Sequence, residues 1–260
     1  MIKKCKLIVN TDRCGNNCLA MENMDWSTSQ YKSESLAAES LAADMDRWIT
    51  YRQRHQPYEI FEQWLNKNLP SCHYRSEGVG WICVRGNQVE KVEGLGDLRG
   101  LHQMWDEVQK SNRPINVETI SDLARIFKVT NGKWLFHVDS GAKADHLWSI
   151  VAKAIVKGEI PCKSAKVSPY DDCAENNDKF EHVVCVYNDN YLNEEEVMDC
   201  EHGLRKIGIK CPLMYKPDVY TYLGVYRNNP WDLRPTVYRS EYDVISGKSQ
   251  IDFSSAPGHR

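Results

Sequence analysis

Between Val79 and Asp243 strand-like runs alternate with single helical stripes, and the irregular cadence of that alternation is what most narrows the fold. The strand-like runs are Val79-Gly-Trp-Ile-Cys-Val84, Lys133-Trp-Leu-Phe-His-Val138, and the segments 163–167, 180–187, 210–215, 219–226 and 235–245. Four helices interrupt them. Leu98, Leu101, Trp105 and Val108 form one stripe at helical spacing, and Val117, Ile120, Ala124 and Phe127 form the next. Leu147, Val151, Ala154 and Ile155 form a third, and Asn193 caps a fourth helix whose first turn is Glu194-Glu195-Glu196. Asp97 and Asn116 are placed as caps, and Gly158 suits a left-handed helix end. No regular βαβ unit appears, so the pattern predicts an α+β domain around a largely antiparallel sheet.

Upstream, Leu41, Met45, Trp48 and Ile49 keep helical spacing and predict a helix over 35–49. Phe61, Trp64 and Leu65, between Pro57 and Pro70, predict a second one. The expected organisation is a disordered leader at 1–33, one α+β domain at 34–250 and a flexible tail at 251–260.

The apolar run Leu7–Val9 is too short for an export signal, and no stretch of 18 apolar residues occurs. The expectation is therefore a cytoplasmic or nuclear protein without membrane contact, whose ten cysteines are reduced thiols. Cys5, Cys14 and Cys18 lack a second ligand pair, so neither a metal nor another cofactor is expected. A net charge of −3 excludes a whole-molecule field for nucleic acid and leaves only a local basic patch. No nucleophile elbow, phosphate loop or His-Glu-x-x-His is present, and Gly94-Leu-Gly-Asp-Leu-Arg-Gly100 has its third glycine one place late for a dinucleotide fingerprint. The expectation is a binding protein rather than an enzyme.

Several segments carry a family resemblance: Leu36-Ala-Ala-Glu-Ser-Leu-Ala-Ala-Asp-Met-Asp-Arg-Trp48, Val79-Gly-Trp-Ile82, Gly132-Lys-Trp-Leu135, Ala165-Lys-Val-Ser-Pro169, and Tyr215-Lys-Pro-Asp-Val-Tyr-Thr-Tyr-Leu-Gly-Val-Tyr-Arg227 followed by Trp231 and Pro235-Thr236. From about residue 36 to 245 the chain is similar to the basophilic leukaemia-expressed protein family. That resemblance implies a fold like the messenger-RNA cap-binding initiation factor, a curved antiparallel sheet backed by about three helices, here with an added N-terminal helical arm. It also implies that Lys166 lies on a strand leading into a phosphate-contacting region. The cap-binding factor holds its ligand between two loop tryptophans, the second followed by Glu. Here 87–96 contains no aromatic residue and 130–133 no Trp-Glu pair, so that mode of recognition is not expected.

The segment Val219–Tyr226 predicts the ligand surface. Read as a strand, it puts Val219, Thr221, Leu223 and Val225 on one side and Tyr220, Tyr222 and Tyr226 on the other. Tyr215, Lys216, Arg227 and Lys166 join that side, and rings beside cations suit single-stranded RNA. Two alternatives stand beside RNA: a scaffold with a protein partner on the helical face, and a binder of small nucleotides. Packing of the tyrosines beneath the N-terminal helices is the structural alternative.

Overall fold

The computed structural model describes residues 42–87, 96–111, 113–173 and 180–258, together with the short pairs 10–11 and 17–18. Apart from those two pairs, the predicted leader lies outside these residues, as do Cys5 and Cys14.

Eight strands form one sheet: β1 (Arg47–Arg52), β2 (Val79–Arg85), β3 (Gly132–Asp139), β4 (Ser164–Val167), β5 (Glu181–Asn188), β6 (Leu213–Pro217), β7 (Tyr238–Asp243) and β8 (Lys248–Asp252). Their order is β8-β7-β6-β3-β5-β4-β2-β1, and every pair is antiparallel except β1 with β2. The α+β class and the largely antiparallel sheet are thus as the sequence predicts.

One sheet face is the core. On β3 it takes Trp134, Phe136 and Val138, while Leu135, His137 and Asp139 point the other way. Against that face pack α1 (Phe61–Lys67), α2 (Leu98–Lys110), α3 (Val117–Ile126), α4 (Ala142–Lys157) and α5 (Glu194–Lys206). Each cap read from the sequence is made. Asp97 accepts from the Gly100 amide, Asn116 from Thr119 and Asn193 from Glu196, and Gly158 ends α4 in the left-handed region. Trp134 shows how tightly the layers mesh, its indole N–H donating to the Val197 carbonyl of α5 at 2.9 Å.

Four expectations need correction. The segment 35–49 is not one helix: a helical turn covers 42–45, and Trp48 and Ile49 already belong to β1. Hydrogen bonding to β2 and full burial of Tyr51 against Phe61 outweigh the local helical spacing. The segment 219–226 is not a strand. Pro217 ends β6, Asp218–Tyr222 forms the short helix α6, and Gly224 turns the chain at φ +73°. The run 235–245 is the first arm of a hairpin, with Gly247 at its turn and β8 returning as far as Asp252. Residues 251–258 are consequently not a loose tail, since Ala256 is buried and Ile251 and Phe253 pack on the core. Lastly, Cys162 and Cys200 form a disulfide that ties the segment after α4 to α5, with Cα atoms 6.1 Å apart, whereas Cys83 and Cys185 are buried thiols.

Candidate functional site

The face of the sheet opposite α1–α5 carries a row of polar side chains set by strand register. Arg52 pairs with Arg85, Arg85 with Ser164, Ser164 with Tyr187, Tyr187 with Lys133, and Lys133 with Lys216. Residues directly opposite in a ladder project to the same side. Six neighbouring strands therefore present Arg, Arg, Ser, Tyr, Lys, Lys in a line roughly 24 Å long, at about 4.8 Å per strand. The adjacent row is Thr50, Cys83, Lys166, Cys185, Leu135, Met214 and Arg239. Trp48 and Trp81, paired in register, lie beyond it.

The three lysines are held in partly dry surroundings, at 9% exposure for Lys133 and 7% each for Lys166 and Lys216. Lys133 donates to the Asp218 carboxylate at 2.5 Å and to the Thr221 hydroxyl at 3.3 Å. Burial alone would lower its pKa, but the Asp218 charge overcomes that and holds it above the ordinary lysine value. Lys166 pairs with Asp44 at 3.0 Å, and its ammonium lies 3.8 Å from the Trp81 ring centre and 4.7 Å from that of Trp48. Lys216 sits 3.6 Å from the Tyr226 ring centre and donates to the Val225 carbonyl at 3.0 Å. Burial, reinforced by the Lys133 charge, brings its pKa down to about 7.

Burial raises the Cys83 and Cys185 thiols, keeping them uncharged, and raises the Tyr187 phenol well above its ordinary value. The face is therefore cationic and aromatic, with Asp44 and Asp218 as the carboxylates paired to its lysines. Chemically, it offers positive charge for phosphate and ring faces for a planar group.

The residues expected from sequence divide into two sets. Lys166, Lys216, Tyr226 and Tyr222 come together here: Lys216 lies under Tyr226, and Tyr222 is close enough to Asp218, Lys133 and Asp44 for their charges to act on its phenol. Tyr215 and Tyr220 do not join them. Tyr215 faces the helices beside Trp134 and donates to the Asn188 side-chain oxygen, and Tyr220 is sealed in the core at 1% exposure. Tyr220 is misplaced because a strand is expected where α6 forms, and Tyr215, next to Lys216 on β6, points to the opposite face by strand alternation. Arg227 is exposed beyond Tyr226.

Sequence reading missed Arg52, Arg85, Tyr187, Lys133, Trp48 and Trp81. Alternation within β2, β3 and β5 puts Trp81, Arg85, Lys133 and Tyr187 on this face. Trp48 and Arg52 lie on β1, which does not read as a strand in the sequence, and only the strand order aligns the row. Among the described residues, one group of possible metal donors occurs, Asp171, Asp172 and Cys173. Its Asp172 carboxylate already accepts from Ser76, and it lies outside the row.

Comparison with known proteins supports the family resemblance: residues 99–224 match the family described as basophilic leukemia-expressed protein Bles03. Solved structures similar to the chain include C. elegans eIF4E-3 in complex with the 4E-binding protein Mextli and a cap analogue, at 20% identity and a TM-score of 0.28, covering 35% of this chain and 51% of that one. Ascaris suum eIF4E-3 with the m2,2,7G cap gives 24% identity and a TM-score of 0.27 over 34% of this chain and 51% of that one. Schistosome eIF4E with m7GpppA and 4E-BP gives 12% and 0.29 over 53% and 84%. The chain spans about half the length of the first two.

Proposed function

We propose that this chain is a non-catalytic RNA-binding protein that takes single-stranded RNA along the sheet face opposite α1–α5. One observation carries the reading: strand register lines up Arg52, Arg85, Lys133 and Lys216 around Tyr187, with Lys166 in the adjacent row. A cationic track interrupted by a ring is what a flexible phosphate backbone with unstacked bases requires. The chain's net charge of −3 makes that concentration of positive charge on one face more telling. Tyr187, half-buried at the centre of the row, is the base platform; the lysines and arginines neutralise phosphates.

The test is titration of a fluorescent single-stranded oligouridylate into wild-type protein and into Tyr187→Ala. Loss of one stacked base costs about 1–3 kcal/mol, which weakens binding roughly 5- to 150-fold. Equal affinity in a folded Tyr187→Ala protein contradicts the reading. Recovery of a protein partner that survives nuclease and high salt, together with no RNA affinity, would instead favour a scaffold.

A further inference from the structure

Lys166 is buried as deeply as any cation of the face, and the chain itself covers it. The cover is the helical turn over 42–45 that leads into β1. Asp44 of this turn pairs with Lys166, and the Trp48 indole N–H donates back to the Asp44 carbonyl at 3.3 Å. Ala43 is buried, and its carbonyl lies so close to Gly80 that a methyl group there would approach within 2.1 Å. Gly80 is the residue skipped where the β1–β2 register shifts. Asp46 reaches Arg75 at 3.9 Å on the far side.

We propose that residues 42–46 form a strap that closes the Lys166 end of the sheet face, with the Asp44 carboxylate standing where a ligand phosphate binds. The inference rests on the reading of this face as an RNA site and adds its regulation. Two asymmetries support it. The Asp44 side chain is 41% exposed, whereas that of Lys166 is 8% exposed, so the carboxylate can leave into water and the ammonium cannot. A buried ammonium stripped of its counter-ion is costly, so opening is unfavourable until another anion arrives. Strap opening and phosphate binding are therefore linked, and apparent affinity is reduced by the fraction of molecules with the strap open.

The contacts on either side of the strap are of different kinds, which gives two independent ways to loosen it. Asp44→Asn removes the internal anion and keeps the shape. Gly80→Ala leaves every charge in place and pushes the 43–46 backbone off the sheet. Oligouridylate affinity should rise about 1.5- to fivefold in both variants, the range expected for releasing one partly exposed ion pair.

Oligouridylate bound by wild type, with no gain in either variant, overturns the strap. A gain in only one variant also overturns it, since loss of repulsion or a local packing change would then suffice. RNA bound by none of the three proteins refutes the ligand reading and removes the strap's purpose with it. Should Gly80→Ala fail to fold, amide exchange in folded Asp44→Asn replaces it. Asp46 and Arg47, whose amides donate to Ala42 and Gly78, should exchange faster while β3 is unchanged, and unchanged exchange at both overturns the proposal.

Discussion

Replacing Arg85 by Gln removes one cation from the row while leaving the β2 pairings intact. Five basic side chains line the face: Arg52, Arg85, Lys133, Lys166 and Lys216. Two of them, Lys133 and Lys166, already hold Asp218 and Asp44. A phosphate reaching those two exchanges one anion for another and releases few condensed counter-ions, so the effective number of neutralised phosphates lies between three and five. For a single strand the slope of log affinity against log salt is about −0.7 per phosphate, giving a wild-type slope of about −2 to −3.5. Between 50 and 200 mM salt, affinity should then fall about 20- to 130-fold. Arg85→Gln should make the slope shallower by about 0.7 and weaken binding at every salt concentration. Fluorescence anisotropy of a labelled oligouridylate at five salt concentrations measures both numbers. A wild-type slope shallower than about −1, or an unchanged slope in Arg85→Gln, refutes the basic row as the phosphate track.

Lys216 gives the interaction a pH dependence. Its pKa of about 7 is set by burial and Lys133, against Asp218 and Cys185, with Tyr226 stacked on the ammonium. A bound phosphate favours the charged amine, so RNA affinity should fall as pH rises through 7, and calorimetry in two buffers should detect proton uptake above that pH; Lys216→Met should abolish both. Folding stability has the opposite sign: a depressed lysine pKa means the unfolded chain binds the proton more tightly, so stability rises from about pH 7 toward the ordinary lysine range.

Gly132→Ala would place a methyl group 2.2 Å from the Tyr215 hydroxyl oxygen and should destabilise the domain by about 1–3 kcal/mol or more in urea unfolding. Glu201→Ala strips the partner from buried Arg205 and from the hydroxyls of Ser240 and Ser249, costing about 3–5 kcal/mol by the same measurement. The Cys162–Cys200 bridge closes a separation of 38 residues. Its reduction should cost about 4 kcal/mol on chain-entropy grounds, seen as a lower thermal midpoint under reducing conditions.

The helical stripes and their caps were legible because each depends on residues within one or two turns. Asp97, Asn116, Asn193 and Gly158 all act where their spacing places them. The strand at 47–52 was illegible because its helical-looking spacing is overridden by pairing with β2, some 30 residues away. The misreading of 219–226 had a local remedy. Lys216-Pro217-Asp218 is a helix-start signal, and alternation over aromatic and β-branched residues hid it. The candidate site was legible only in pieces. Lys166 and Lys216 were recognisable as cations, but their common row with Arg52, Arg85, Tyr187 and Lys133 exists only once the sheet order is known, because it joins strands from residues 52 to 216.

Photo-crosslinking of a 4-thiouridine-containing single-stranded RNA, with the adducts mapped by mass spectrometry, examines the binding face directly. Adducts at Tyr187 and on the peptides bearing Arg85 and Lys166 are predicted, lost in the presence of excess unlabelled RNA. Adducts confined to the core-side helices, on α2, α3 or α5, would contradict RNA binding on the opposite sheet face.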